Sequence, residues 1–302
     1  MMKAFSKSTT DGYNTYIKKW VTYCESRNIP MSEAINSVKI GNEFLTHLFD
    51  VGKYSYSAIN NARCALSKFI NTGNSDTFGK QIETQWQMRG MFRERPQLPR
   101  YTVTFNPQIV LEHLRSQKSM TLKQITYKIA TLLCFVTGQR DQSINEIDTD
   151  YKYEDEEKMV FYIPTVLKTT TPRYHLKPLT IKKYPDKALC VAFHIDLYLK
   201  ATEHVRGNTK KLLLSIVPPF KEVTTTTVAR WVKETLSDAG INTKTFSSHS
   251  TRSSSTSTAK ERGLSMDEIR KAAGWTNGST FARFYERPIV QYFGEHVLPP
   301  VD

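Results

Sequence analysis

Apolar side chains recur at helical spacing through most of this chain, and the pattern breaks in two places. Residues 9–29 open on a Ser/Thr cap signal, after which Tyr13, Ile17, Trp20, Val21 and Cys24 fall on one helical stripe. Residues 31–52 and 56–72 repeat the pattern, so the N-terminal third reads as a helical bundle whose aromatic stripe is its core. The first break is RERPQLPRYTVTF at 93–105, where Pro96 and Pro99 pull their preceding residues away from helix. The pattern therefore divides the chain into a helical domain at 1–98, an extended linker at 99–105 and a second domain at 106–302.

In the second domain, TLKQITYKIATLLCFVT at 121–137 is a buried helix that stops at Gly138. The second break follows: MVFYIPTVLK at 159–168 and RYHLKPLTI at 173–181 are β-like runs joined by Thr-Thr-Thr-Pro, which predicts a hairpin with Lys168 at the tip of its first strand. Helical patterns return at 187–202, 224–239 and 254–273. Ser265 and Glu268 form a capping box, with Gly274 as the residue beyond the helix end. A last short helix is expected over TFARFYER, ending before Pro288. The fold class is thus mainly α with a small antiparallel sheet.

Composition narrows the partners. A net charge of +13 over 302 residues, spread over both halves, makes a polyanion such as nucleic acid the natural partner. The apolar share of 39% suits a packed chain, and no apolar run is long enough to span a membrane. The opening MMKAFSKSTTDGYNTY has no apolar stretch of the secretory kind. Cys24, Cys64, Cys134 and Cys190 lie far apart, which argues against a zinc site or a disulfide framework and fits a reducing compartment.

Five features carry candidate chemistry: Arg140 just past the buried helix, Lys168 in the hairpin, His249 and Arg252 three apart in HSTR, Gly274-Trp275 at a helix end, and Tyr285 on the last helix. Singly, each has an ordinary reading. An arginine after a helix meets its dipole, a hairpin lysine is solvated, and Tyr285 shares a helical face with Phe281, which suggests packing. Their order and spacing point elsewhere. TGQR, the hairpin lysine, HSTR, GW and FYER together resemble the tyrosine recombinase (phage integrase-like) superfamily over nearly the whole chain. More narrowly, the run from Ser247 to Pro288, the linker RPQLPRY and PDKALCVAFHIDLYLKATEHVRG resemble recombinases of DIRS-type retroelements and cryptons.

The resemblance implies a two-domain C-shaped DNA clamp that cleaves and rejoins DNA through a 3′-phosphotyrosyl intermediate. Tyr285 would be the nucleophile, and Arg140 and Arg252 would hold the non-bridging oxygens. Lys168 would protonate the leaving 5′-oxygen, His249 would hydrogen-bond the phosphate and assist proton transfer, and Trp275 would donate its indole N–H. The partner would be double-stranded DNA, with four protomers on two duplexes and a nuclear location in a eukaryotic host. The cations assigned to the DNA backbone are Lys18, Lys19, Arg63, Arg93, Arg95 and Arg100. Tyr292 is the alternative nucleophile and Lys177 the alternative lysine. The apolar tail 290–302 is expected to dock on a neighbouring protomer.

Elementary chemistry agrees with those roles. Two guanidiniums offer permanent, planar donors where charge builds on a phosphoryl group. A covalent phosphotyrosine conserves the bond, so religation needs no ATP, and the chain has no GxxxxGK[ST] loop. No acidic trio suggests a metal cage, so no metal or cofactor is expected. One departure stands out: many relatives carry an acidic residue three positions after the first arginine, where this chain has Ser143, and Asp141 is the nearest acid to partner Arg140. Three rivals remain: a binding protein that holds DNA without cutting it, a monomeric enzyme that relaxes supercoils, and a basic helical RNA binder.

Overall fold

The computed structural model describes residues 6–97, 101–118, 120–275, 285 and 287–289. The chain divides into two compact units, Met1–Pro99 and Arg100–Asp302.

The first unit is helical. α1 (Lys7–Glu25) starts where the Ser6 side chain accepts from the Thr9 amide, slightly ahead of the expected Thr pair. The pattern at 31–52 resolves into two helices, α2 (Met31–Ala34) and α3 (Val38–Asp50), because Ser37 leaves the helical conformation and caps the Ile40 amide. α4 (Tyr56–Leu66) follows behind its own cap, Ser55. Trp20, Cys24, Phe44, Leu45, Ile59, Leu66 and Phe78 fill the core, so the aromatic stripe does pack inward. One helix escaped the sequence reading: α5 (Ile82–Glu94) buries only Thr84, Met88 and Met91, too few apolar residues to show a period. Arg93 therefore lies on a helix and not in an extended strap.

The second unit is built around α7 (Leu122–Thr137), which is buried from Ile125 to Phe135. A Thr121–Gln124 capping box opens it and Gly138 closes it at φ 58°. Around it pack α6 (Pro107–Ser116), α9 (Val191–Thr202) and α10 (Thr225–Asp238). The short α8 (Asp141–Asn145) leads to a three-stranded antiparallel sheet of order β1-β2-β3, with β1 (Lys152–Glu154), β2 (Lys158–Phe161) and β3 (Leu179–Lys182). β2 and β3 pair from Lys158↔Lys182 to Phe161↔Leu179. The expected hairpin is present, but its strands are shorter than the apolar runs, and β1 is an additional edge strand. Lys168 consequently sits in a turn of the 162–178 connection and not on a strand.

The helical pattern at 254–273 also splits, into α11 (Ser250–Glu261) and α12 (Met266–Ala273), at Gly263 with φ 89°. The expected capping box of α12 is present, and Gly274 ends it at φ 67°. Among the described residues, no helix is long and apolar enough to cross a membrane. The helix expected over 280–287 and the tail 290–302 lie outside the described residues, apart from Tyr285 and Arg287.

Candidate active site

Three helix ends meet at one place in the second unit. Gly138 turns the chain out of α7 in the left-handed region, so Arg140 becomes the extended N-cap of α8. His249 is the N-cap of α11, which puts Arg252 one turn inside that helix. Gly274 turns the chain out of α12 and delivers Trp275. Gly274 has a second reason to be glycine: an added Cβ would lie 2.8 Å from Leu176 Cδ1. Leu176 belongs to the same connection as Lys168, so this close approach brings that loop against the end of α12.

Arg252 is 1% exposed. Its NH1 donates to Gly138 O at 2.7 Å and its NH2 to Ala273 O at 2.6 Å, so it caps the C-terminal ends of α7 and α12 together. Those carbonyl ends carry partial negative charge, which offsets the cost of burying a cation. Burial, and then Arg140, push its pKa down to about 9, with Tyr285 and Tyr174 opposing the shift, so it stays charged at neutral pH. A guanidinium has five N–H donors, of which the carbonyls take two. The Nε–H is buried and has no hydrogen-bond partner among the described residues.

Tyr285 lies beside it, 8% exposed. Its ring stacks on Trp275 at 4.7 Å and 29°, and the Arg252 guanidinium stands 4.6 Å from the Trp275 ring and 5.3 Å from the Tyr285 ring. Tyr285 Oη and His249 Nε2 are 3.1 Å apart. The backbone is fixed as well: Ser257 Oγ donates to Tyr285 O at 3.0 Å and accepts from the Arg287 amide at 3.2 Å. Tyr101 supports the same corner, its hydroxyl donating to Ser250 Oγ at 2.9 Å while its carbonyl accepts from Arg287.

The surrounding protein, and then Arg252, Arg140 and Lys168, push the His249 pKa down to about 4. The residue still presents a face to solvent, which damps the charge effects. At neutral pH the imidazole is therefore uncharged, and one ring nitrogen is able to accept a proton. The same shift shows that Arg140, Lys168, His249 and Arg252 share one local field. Lys168 is exposed, and its backbone amide reaches Gln142 Oε1 of α8 at 3.4 Å.

Asp141 does not pair with Arg140, contrary to the expectation. Its Oδ2 accepts from Ser248 Oγ at 2.9 Å, and its Oδ1 lies 3.7 Å from the buried Cys134 Sγ. Gln139, which the sequence did not single out, is 3% exposed and donates to Ala272 O at 2.6 Å. Ser143 is buried. Among the described residues, no cluster of three His, Cys, Asp or Glu side chains forms.

The candidate DNA contacts divide. Lys18, Lys19 and Arg93 are exposed, with Lys19 Nζ 5.4 Å from the Tyr54 ring centroid. Arg63 and Arg95 are spent inside their own unit. Arg63 bonds Asn60 and Gly79 O, and Arg95 lies 3.3 Å from the Phe49 ring centroid and donates to Phe49 O. Both are therefore structural in the first instance. Lys177 is exposed, while Arg100 and Tyr292 lie outside the described residues.

The model of the phage integrase family matches residues 110–289, more than half of the chain, and the chain belongs to that family. Among solved structures, the XerH site-specific recombinase bound to its difH substrate before cleavage superposes with a TM-score of 0.62 at 16% identity, over 95% of this chain and 77% of that one. A lambda integrase dimer bound to a COC′ core site gives 0.55 at 14% identity, over 95% and 75%. The Tn1549 transposon integrase with transposon right end DNA gives 0.55 at 14%, over 97% and 93%. At these identities the likeness is one of fold. No curated protein matches the chain.

Proposed function

We propose that this protein is a site-specific DNA recombinase that cleaves and rejoins duplex DNA through Tyr285. Tyr285 Oη attacks the scissile phosphorus, a 3′-phosphotyrosine forms, and the bond to the 5′-oxygen breaks. The phenolic proton passes to His249, whose neutral imidazole stands 3.1 Å away. Lys168 supplies the proton that the leaving 5′-oxygen takes up. Arg140 and Arg252 meet the charge that gathers on the non-bridging oxygens. Trp275 packs the nucleophile from beneath and donates its indole N–H to the phosphate. The reverse sequence on a second strand rejoins the ends.

The observation that carries this reading is the pairing of a buried cation with a buried nucleophile. Arg252 is almost inaccessible, retains an unpartnered Nε–H, and sits over a phenol that meets a histidine. Family membership and DNA-bound structures with the same fold support it. Unit 1 would add phosphate contacts through Lys18, Lys19 and Arg93. The oligomer would be a tetramer on two duplexes, as in the lambda integrase tetramer bound to a Holliday junction. Within the family, the motifs favour the recombinases of DIRS-type elements and cryptons, and with them a nuclear site of action.

A nicked suicide substrate tests the reading. The wild type should form a covalent protein–DNA adduct that Tyr285→Phe does not form. The rival is a protein that binds DNA without cutting, which Ser143 in the usual acidic position favours; binding with no adduct on a substrate containing the cognate site would establish it.

A further inference from the structure

We infer that Asp141 is the positioning residue that aligns the first arginine with the histidine of the active site, taking over the task left open by Ser143. The inference rests on the recombinase reading above.

Asp141 is bonded in sequence to Arg140 and in space to Ser248, the residue before His249. The contact spans 107 positions and joins the first residue of α8, next to its N-cap Arg140, to the residue just before His249, the N-cap of α11. These are the two helix starts that hold the phosphate-facing groups. Ser248 is 7% exposed, and its carbonyl accepts from Thr251 Oγ1 at 2.7 Å. The turn thus holds the Ser248 backbone, and its hydroxyl donates to Asp141. The thiol of Cys134, on the last turn of α7, occupies the other carboxylate oxygen. One side chain thus ties together α7, α8 and α11.

The position of this link matters chemically. In the recombinase reading His249 and Arg140 both face the reacting phosphate, and among the described residues no hydrogen bond joins the backbone of one to that of the other. A shift of about 1 Å between catalytic groups can cost on the order of 10²-fold in rate. A carboxylate that fixes both backbones within one hydrogen bond suppresses such a shift. Among the described residues Asp141 takes part in no ion pair, and burial raises its pKa. Those facts fit a group kept for alignment better than one kept for an ion pair.

The test is a double-mutant cycle on single-turnover adduct formation with the nicked substrate, using Asp141→Ala, Ser248→Ala and the double variant. Each single change should slow cleavage by about 10- to 100-fold, with little change in DNA affinity. The double variant should be no slower than the worse single. Asp141→Asn keeps an acceptor for Ser248 and should recover most of the rate, which a requirement for the charge alone would not allow. Ser248→Ala removes one buried oxygen without opening a cavity, so it reports even if Asp141→Ala folds poorly. Wild-type cleavage with an unaltered rate in Ser248→Ala, an Asp141→Asn variant as slow as Asp141→Ala, or additive losses in the double variant, overturns the alignment role while leaving the recombinase reading intact. Absence of any wild-type adduct on cognate DNA would instead remove the reading on which the alignment role depends.

Discussion

Arg252 reconciles two demands that usually conflict, namely burial and charge. Its two helix-end carbonyls hold the guanidinium plane without consuming all its donors. Lysine cannot reproduce this, because a single ammonium lacks the planar fork that reaches both carbonyls and a phosphate. Arg252→Lys should therefore slow adduct formation by on the order of 10²–10³ and also lower the urea midpoint, since a buried carbonyl left unpaired costs about 1–3 kcal/mol. A variant with wild-type stability and rate would refute the shared capping role. His249 gives a pH prediction of defined sign. Its folded pKa, about 4, lies below the usual histidine value near 6.5. Between those values the unfolded chain binds more protons, so stability is complete above about pH 6.5 and declines as pH falls toward 4. The urea midpoint of the wild type should drop more between pH 7 and pH 5 than that of His249→Gln, which cannot titrate. Equal drops would show that His249 is not depressed.

At the scale of elements, the site depends on how helices stop. Gly138 and Gly274 both take left-handed conformations, yet their surroundings differ. A Cβ on residue 138 would meet Thr256 Cγ2 at 3.5 Å, an ordinary contact, whereas at 274 it would meet Leu176 Cδ1 at 2.8 Å. Gly138→Ala should cost about 1–2 kcal/mol for the conformation alone. Gly274→Ala should cost that and a further ~1–3 kcal/mol of overpacking, and thermal unfolding of the two variants should rank them in that order. These ends were visible in the sequence because Gly after a buried stripe and a Ser-x-x-Glu box are local signals that the tertiary structure leaves unchanged. Tyr285, Arg252, His249 and Trp275 were likewise identified by motif, and the structure gathers them. α5 was hidden because its buried face is Thr84, Met88 and Met91, and β1 because three half-exposed residues have no apolar alternation. Lys168 was put on a strand because the apolar run MVFYIPTVLK continues past the last ladder bond at Phe161. The partner of Asp141 could not be read at all, since a serine 107 positions away gives no local signal. The Ser/Thr run of α11 reads as polar, yet the packed helix turns its hydroxyls onto backbone carbonyls such as Phe105 O and Arg252 O.

At the scale of the whole molecule, the determining quantity is charge. An excess of 13 positive charges spread over both units favours DNA through release of condensed counterions, independent of sequence. The candidate contacts are unequal in this respect. Lys18, Lys19 and Arg93 are exposed, whereas the donors of Arg63 and Arg95 are engaged within unit 1. Substitution should separate the two groups by the salt dependence of binding and not by affinity at one salt concentration. If Lys18 and Lys19 each neutralise a phosphate, replacing both by Gln should reduce the slope of log K against log salt by about 2, at roughly 0.9 per contact. The loss should be uniform across DNA sequences, because phosphate contacts position the protein without reading bases. Arg95→Gln should leave the slope nearly unchanged and lower the stability of unit 1, since it removes the contacts to the Phe49 ring and carbonyl. Titrations of labelled duplex between about 50 and 200 mM salt cover the range in which such slopes are steep. An unchanged slope in the Lys18/Lys19 double variant would move the DNA-facing surface of unit 1 away from α1, and a reduced slope in Arg95→Gln would mean that its guanidinium leaves Phe49 when DNA binds.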